Sequence, residues 1–151
     1  MTKIAKITWY SKLEGNNIYN ETYDIFAGTY TGMKPITIST KIWNNRWGTK
    51  DENDLKNFTI KVSFENDEDN SLLKYITVIY NDAQELPLNI IDNYALVDFL
   101  SDVIISGKKN NGVESENKDN FIRLDFKFDP DTAVALKPDD LKNLYLEIVD
   151  K

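Results

Sequence analysis

Apolar and polar residues alternate over long stretches of this chain, and this period of two constrains the fold more than any other feature. The pattern is clearest in the segments Phe58–Phe64, Phe121–Phe128 and Ile36–Ile42. Successive side chains of an extended strand point to opposite faces, so the alternation is typical of strands that are buried on one side. A helical period of 3.6 residues is almost absent. The chain is therefore predicted to consist of strands.

Weaker alternation and turn-forming pairs extend the prediction along the whole chain. Further strands are expected at Ile4–Tyr10, Tyr19–Ala27, Leu72–Tyr80, Leu86–Ile90, Tyr94–Phe99, Val103–Ser106 and Leu144–Val149. Many short strands at this spacing predict an all-β, antiparallel β-sandwich of about nine or ten strands. Its topology is expected to be Ig-like or jelly-roll, which periodicity cannot distinguish. At most one short helix is expected, at Pro138–Lys142, and the 151 residues are predicted to form a single domain.

The chain contains neither cysteine nor histidine. Their absence excludes disulfides, zinc sites with thiolate or imidazole ligands, and nucleophiles activated by a histidine base. A pair of carboxylates can hydrolyse glycosides, but with 25 acidic residues some suitable pair is always present and carries no information. No glycine-rich phosphate loop and no G-x-S-x-G motif occurs. We therefore expect no enzymatic activity and no cofactor.

The net charge of −7 bears on partners and location. Nucleic acids and anionic membranes both attract basic surfaces, so neither is an expected partner. No apolar run is long enough for a membrane-spanning helix, and Met1–Trp9 alternates instead of forming the apolar stretch of a secretory signal. The protein is thus expected to be made in the cytoplasm without a signal peptide. Long edge strands could pair with a second copy, so a homo-oligomer is possible.

Residues 42–48 form the segment that most suggests ligand binding. Trp43 is out of phase with Ile38, so it is expected to point away from the apolar face of its strand. Aromatic rings beside amide and guanidinium donors suit a sugar or a protein partner. The alternative is that one tryptophan fills the core and another covers a strand end. The stretches 47–57 and 108–120 lack strand periodicity, and loops of that length are usually functional or mobile. The candidate ligand-binding residues are Trp43, Asn45, Arg46, Trp47, Tyr10 and Tyr30.

Two acidic runs, Glu65–Asn70 and Asp129–Asp131, could in principle bind Ca²⁺, which prefers several oxygen ligands from one loop. Neither run has the spacing of an EF-hand, and acidic residues are common in turns that follow strands. We therefore predict no metal site. If Ca²⁺ does bind, its candidate ligands are Asp67, Asp69, Asp129 and Asp131.

The acidic composition also suggests a second class of function. A small acidic protein can inhibit or act as a decoy for an intracellular enzyme that handles nucleic acid, because its carboxylates complement a basic channel. Here the acidic residues are spread over loops and do not gather on one strand face. This distribution favours simple solubility over inhibition.

A set of short segments spread over most of the chain carries a resemblance. The segments are Trp43–Gly48, Asp54-Leu55, Asn57-Phe58, Leu72–Tyr75, Ile105–Lys108 and Leu141–Leu144. In them the chain resembles β-sandwich proteins of the tails or virion appendages of phages that infect low-GC Gram-positive bacteria. The resemblance implies a non-catalytic structural or adhesive module that recognises a protein neighbour or a surface glycan. It also implies release by lysis as part of a virion, and it assigns no functional residues.

Overall fold

Strands make up most of the residues that the computed structural model describes. The described residues are 5–13, 16–20, 24–30, 36–64, 73–128 and 142–151, with side chains described for 5–10, 37–64, 73–128 and 144–151. The strands are β1 (Ile7–Leu13), β2 (Asn16–Asn20), β3 (Asp24–Tyr30), β4 (Ile36–Asn44), β5 (Phe58–Phe64), β6 (Ile76–Tyr80), β7 (Gln84–Leu86), β8 (Leu88–Ile91), β9 (Tyr94–Val97), β10 (Phe121–Phe128) and β11 (Lys142–Asp150). Single 3₁₀ turns occur at Leu73–Tyr75, Glu114–Glu116 and Lys118–Asn120. These described ranges include no helix long and apolar enough to cross a membrane.

The strands form two sheets in which the paired strands are antiparallel. The first sheet has the order β2-β1-β4-β10-β6-β7 and the second has the order β3-β11-β5-β9-β8. Only the pairs β1–β2, β6–β7 and β8–β9 are both consecutive in the chain and adjacent in a sheet. Every other step along the chain crosses from one sheet to the other. The prediction of an all-β antiparallel sandwich is confirmed.

The core lies between the two sheets and collects the apolar residues of the alternating strands. Phe64 of β5 and Phe128 of β10 belong to different sheets, and their ring centroids lie 5.2 Å apart. Trp9 of β1 is fully buried in the same cluster. Removing this apolar surface from water is the main force that holds the sheets together.

Four predicted segments differ from the structure. Tyr19–Ala27 is not one strand, because it is divided between β2 and β3, which belong to different sheets. Val103–Ser106 is not a strand, because it forms only an isolated bridge between Ile105 and Leu55. Leu72–Tyr80 is not one strand either, since a 3₁₀ turn precedes β6. Pro87 divides the predicted strand Leu86–Ile90 into β7 and β8, because proline has no backbone N–H to donate to a ladder. The predicted helical turn at 138–142 lies outside the described residues, apart from its last residue, which begins β11.

Substitution of two neighbouring residues of β10 can test which face of the first sheet is buried. Phe126 is 1% exposed and points into the core, whereas Lys127 is exposed. We expect Phe126→Ala to lower the free energy of unfolding by about 3–5 kcal/mol. Lys127→Ala should change it by no more than about 0.5 kcal/mol. Urea denaturation followed by tryptophan fluorescence measures both values, and similar losses in the two variants would contradict this register.

Candidate ligand-binding site

Two loops fold together at the end of the first sheet, and we call them the cover loops (residues 45–57 and 105–120). Leu55 and Ile105 exchange both backbone hydrogen bonds at 2.9 Å, and the N–H of Glu52 donates to the carbonyl of Gly107 at 2.8 Å. A Cβ atom at Gly107 would lie 2.4 Å from the carbonyl oxygens of Glu52 and Asn53, so only glycine permits this approach. The cover loops therefore form a single layer.

Asparagine side chains supply much of the hydrogen bonding within this layer. The Nδ2 amide of each of four asparagines donates to two backbone carbonyls, at distances of 2.8–3.0 Å. The pairs are Asn44 with Asn53 and Ile105, Asn45 with Lys50 and Gly107, Asn110 with Asn45 and Lys108, and Asn120 with Ser106 and Lys108. These amides satisfy carbonyls that no sheet ladder reaches. Asn45 is 2% exposed, so it holds the loops together and is not accessible to a ligand.

Trp43 lies near the end of β4, where its cross-strand neighbours are Thr8 and Phe121. It is not part of the core cluster, which agrees with the expectation that it points away from the apolar face. It is nevertheless 0% exposed, because its ring stacks on that of Phe121 at 4.6 Å and Arg46 covers it. The indole Nε1 has no hydrogen-bond partner in the described part of the chain. Trp43 thus forms the floor of the site and is not a contact residue.

Arg46 occupies the centre of an aromatic group. Its Cζ atom lies 4.7 Å from the ring centroid of Tyr10, 4.4 Å from that of Trp43 and 4.2 Å from that of Trp47. Its Nε and Nη2 atoms both donate to the carbonyl of Gly112, at 3.2 and 3.1 Å. A guanidinium over aromatic faces is attracted by their electron density. We call Tyr10, Trp43, Arg46 and Trp47 the Arg46 cluster.

Trp47 is the member of the Arg46 cluster that reaches the surface, with 57% of the residue exposed. Its backbone has a φ of 59°, in the left-handed region that bulky residues rarely adopt. The N–H of Trp47 donates to Oδ1 of Asn110 at 3.2 Å. Gly112, with a φ of 76°, lies so close that a Cβ atom there would fall 2.0 Å from the indole Nε1. The loops therefore hold a large aromatic side chain at the surface in a strained conformation.

The structure brings four of the six predicted site residues together. Tyr10 is half-buried on β1, and its cross-strand neighbour Lys41 pairs with Glu114 at 2.5 Å, which fastens the second cover loop to the sheet. Asn45 lies within a cover loop but is buried. The side chain of Tyr30 lies outside the described residues.

The Ca²⁺ candidates lie outside the described part of the chain. They are Asp67, Asp69, Asp129 and Asp131. Among the residues that are described, no group of three or more acidic side chains is placed to hold a metal ion.

Sequence reasoning missed Gly112, Asn110 and Phe121, which shape the site without any binding chemistry of their own. Residues 110–112 fall in the stretch 108–120, which lacks strand periodicity, and nothing in their pattern indicates which part of the fold they contact. Phe121 was placed on a predicted strand, but its stacking on Trp43 depends on the pairing of β10 with β4.

No protein family model, no curated protein and no solved structure matches this chain.

The different burial of the tryptophans can be tested with a neutral quencher. Trp9 and Trp43 are fully buried, whereas Trp47 is exposed. We expect acrylamide to quench part of the wild-type fluorescence and to quench the fluorescence of Trp47→Phe much less. If the variant is quenched as strongly as the wild type, one of the other two tryptophans is accessible and this description of the site is wrong.

Gly112 offers a test of how Trp47 is positioned. In Gly112→Ala the added methyl group would overlap the indole, and the left-handed backbone adds a penalty of about 1–2 kcal/mol. We expect lower stability in urea and a changed near-UV circular dichroism spectrum. Val113→Ala, at the next and exposed residue, is the control and should leave both unchanged. A Gly112→Ala spectrum identical to that of the wild type would argue against the contact.

Proposed function

We propose that this protein is a non-catalytic binding module and that the Trp47 side of the Arg46 cluster contacts a surface glycan. The observation that carries the proposal is the exposed indole of Trp47, held in a left-handed backbone conformation above a guanidinium. The resemblance to phage tail and virion appendage proteins suggests a structural or adhesive role in a virion. The glycan contact is argued from the site, and the role in a virion rests on the resemblance alone.

Strain and preorganisation support a binding role for Trp47. A left-handed conformation in a bulky residue costs on the order of 1–2 kcal/mol, and such strain is found mainly at functional sites. The backbone N–H of Trp47 bonds to Asn110 and its indole lies against Gly112. These contacts keep Trp47 in its strained conformation before any ligand binds. A side chain fixed before binding loses little conformational entropy when a ligand arrives.

The size of the apolar surface favours a glycan over a protein neighbour. Within the cover loops, Trp47 and Val113 are the exposed large apolar residues that the structure describes. Stable protein interfaces usually bury about 800 Å² on each partner around an apolar centre. One indole with a small apolar neighbour is better matched to the C–H face of a single sugar ring.

The inhibitor hypothesis has less support, because several of the cover-loop carboxylates make contacts within the chain. Asp51 accepts a hydrogen bond from the N–H of Lys109, and Asp54 accepts one from the N–H of Gly107. Glu114 pairs with Lys41. Carboxylates used in this way are less available to a basic channel on a partner enzyme.

Calorimetric titration with fragmented cell-wall polysaccharide from a Gram-positive bacterium tests the proposal. We expect saturable binding by the wild type and at least tenfold weaker binding by Trp47→Ala, with an unchanged urea denaturation curve. Leu100→Ala is the matched control, because Leu100 is 59% exposed and lies outside the cover loops. It should bind as the wild type does.

Two further outcomes separate the alternatives. Equal binding by wild type and Trp47→Ala would reject the proposed site. Release of a protein partner from a pull-down by about 0.5 M salt would favour the inhibitor hypothesis, since salt screens exposed charge pairs strongly.

A further inference from the structure

The two arginines of this chain have opposite surroundings. Arg123 lies beside two carboxylates, with Nη1 at 3.2 Å from Asp82 and Nε at 3.4 Å from Asp125. Arg46 has no carboxylate within ion-pair distance among the residues that the structure describes, and its hydrogen-bond acceptor there is the neutral carbonyl of Gly112. Acidic residues outnumber basic ones by 25 to 18 in the whole chain. A half-buried arginine that none of the described carboxylates pairs with is therefore unexpected.

One edge of the Arg46 guanidinium has no hydrogen-bond partner among the side chains that the structure describes. Aromatic rings pack around it, and the Nε and Nη2 atoms are directed at Gly112. A guanidinium has five N–H donors, and two of the three that remain lie along the edge formed by Nη1 and Nη2. That edge has the spacing of two parallel hydrogen bonds to a carboxylate or phosphate.

The aromatic rings stabilise the charge of Arg46 without neutralising it. An anion placed at the free edge would interact with a guanidinium that its neighbours already shield from water, where electrostatic interactions are stronger than in bulk solvent. Hydrogen bonds between ionised groups are roughly twice as strong as those between neutral groups. A neutral hydroxyl would fit the same edge but would gain much less from it.

We propose that the ligand at this site is an acidic glycan, whose carboxylate or phosphate pairs with the Nη1–Nη2 edge of Arg46 while Trp47 stacks on an adjacent sugar ring. This inference rests on the proposed glycan-binding function and adds the charge of the ligand to it. Arg46 is then both the support of Trp47 and a direct contact. Carboxylate and phosphate offer the same chemistry to the guanidinium, so the experiment must distinguish them.

The test compares the affinity of the protein for three forms of one polysaccharide. The first is untreated cell-wall polysaccharide, the second has its carboxylates converted to amides with a carbodiimide, and the third has its phosphates removed with hydrogen fluoride. We expect one of the two treatments to weaken wild-type binding at least tenfold, and the effective treatment identifies the acidic group. The affinity of Arg46→Gln for the untreated form should already be reduced to that level, and the same treatment should weaken it little further.

Variants of both arginines complete the design. Arg123→Gln, which removes the paired arginine, should discriminate among the three forms as the wild type does. Arg46→Lys keeps a cation over the rings but lacks the planar fork, so its affinity should lie between those of the wild type and Arg46→Gln. Should Arg46→Gln fail to fold, the three polysaccharide forms still decide the matter with the wild type and Arg46→Lys.

The possible failures are distinguishable. If neither treatment changes wild-type affinity while Trp47→Ala still abolishes binding, the proposed function stands and the acidic ligand is rejected. If a treatment weakens the wild type and Arg46→Gln equally, the acidic group is recognised elsewhere and Arg46 is rejected as its contact. If the wild type does not bind the untreated polysaccharide, the proposed function fails and this inference fails with it.

Discussion

The arrangement of the candidate site depends on side-chain amides that replace a sheet ladder. Asn44 ends β4, and after the N–H of Asn45, which donates to the carbonyl of Lys6, the chain leaves the sheet. Asn44 and Asn45 reach across to carbonyls of both cover loops, at 2.8–3.0 Å. Each such bond contributes about 0.5–1.5 kcal/mol net, and the carbonyls of Ile105 and Gly107 each accept a backbone N–H as well. The side-chain amides of two consecutive buried asparagines therefore help to hold both cover loops in place.

Each later feature of the site depends on this network. Because Asn45 fixes Gly107, the second loop approaches the first closely enough for Gly112 to reach Trp47 and Arg46. The carbonyl of Gly112 then orients the guanidinium, which in turn supports the exposed indole. The strain of the left-handed backbone at Trp47 is opposed by all these contacts together. A loop held by any one of them alone would be expected to release the indole.

The sequence predicts the sheets well because alternation is a local property. Phe58–Phe64 and Phe121–Phe128 are strands in the structure with the expected faces buried. Val103–Ser106 has similar apolar residues, yet Ile105 pairs with a loop residue, Leu55, and not with a strand. Periodicity reports which residues can share a face and says nothing about which backbone lies beside them. Strand order and the loop bridge are both decided by contacts between residues far apart in sequence.

The difference between local periodicity and long-range contacts also explains why only some of the predicted site residues are exposed. Parity correctly indicated that Trp43 points away from the core, but it assumed that this face meets water, whereas the cover loops bury it. Asparagine carries no periodicity, so its abundance gave no sign of the amide network that removes Asn45 from the surface. Trp47 stays exposed at the surface. Arg46 and Trp47 are held in place by hydrogen bonds to Gly112 and Asn110 of the second cover loop. The outer face of the first sheet thus has its own small packed layer, built from hydrogen bonds and one cation among aromatic rings. Leu55 and Ile105, which bridge the two cover loops, also belong to the hydrophobic core, so the packing of this layer is tied to that of the sandwich beneath it.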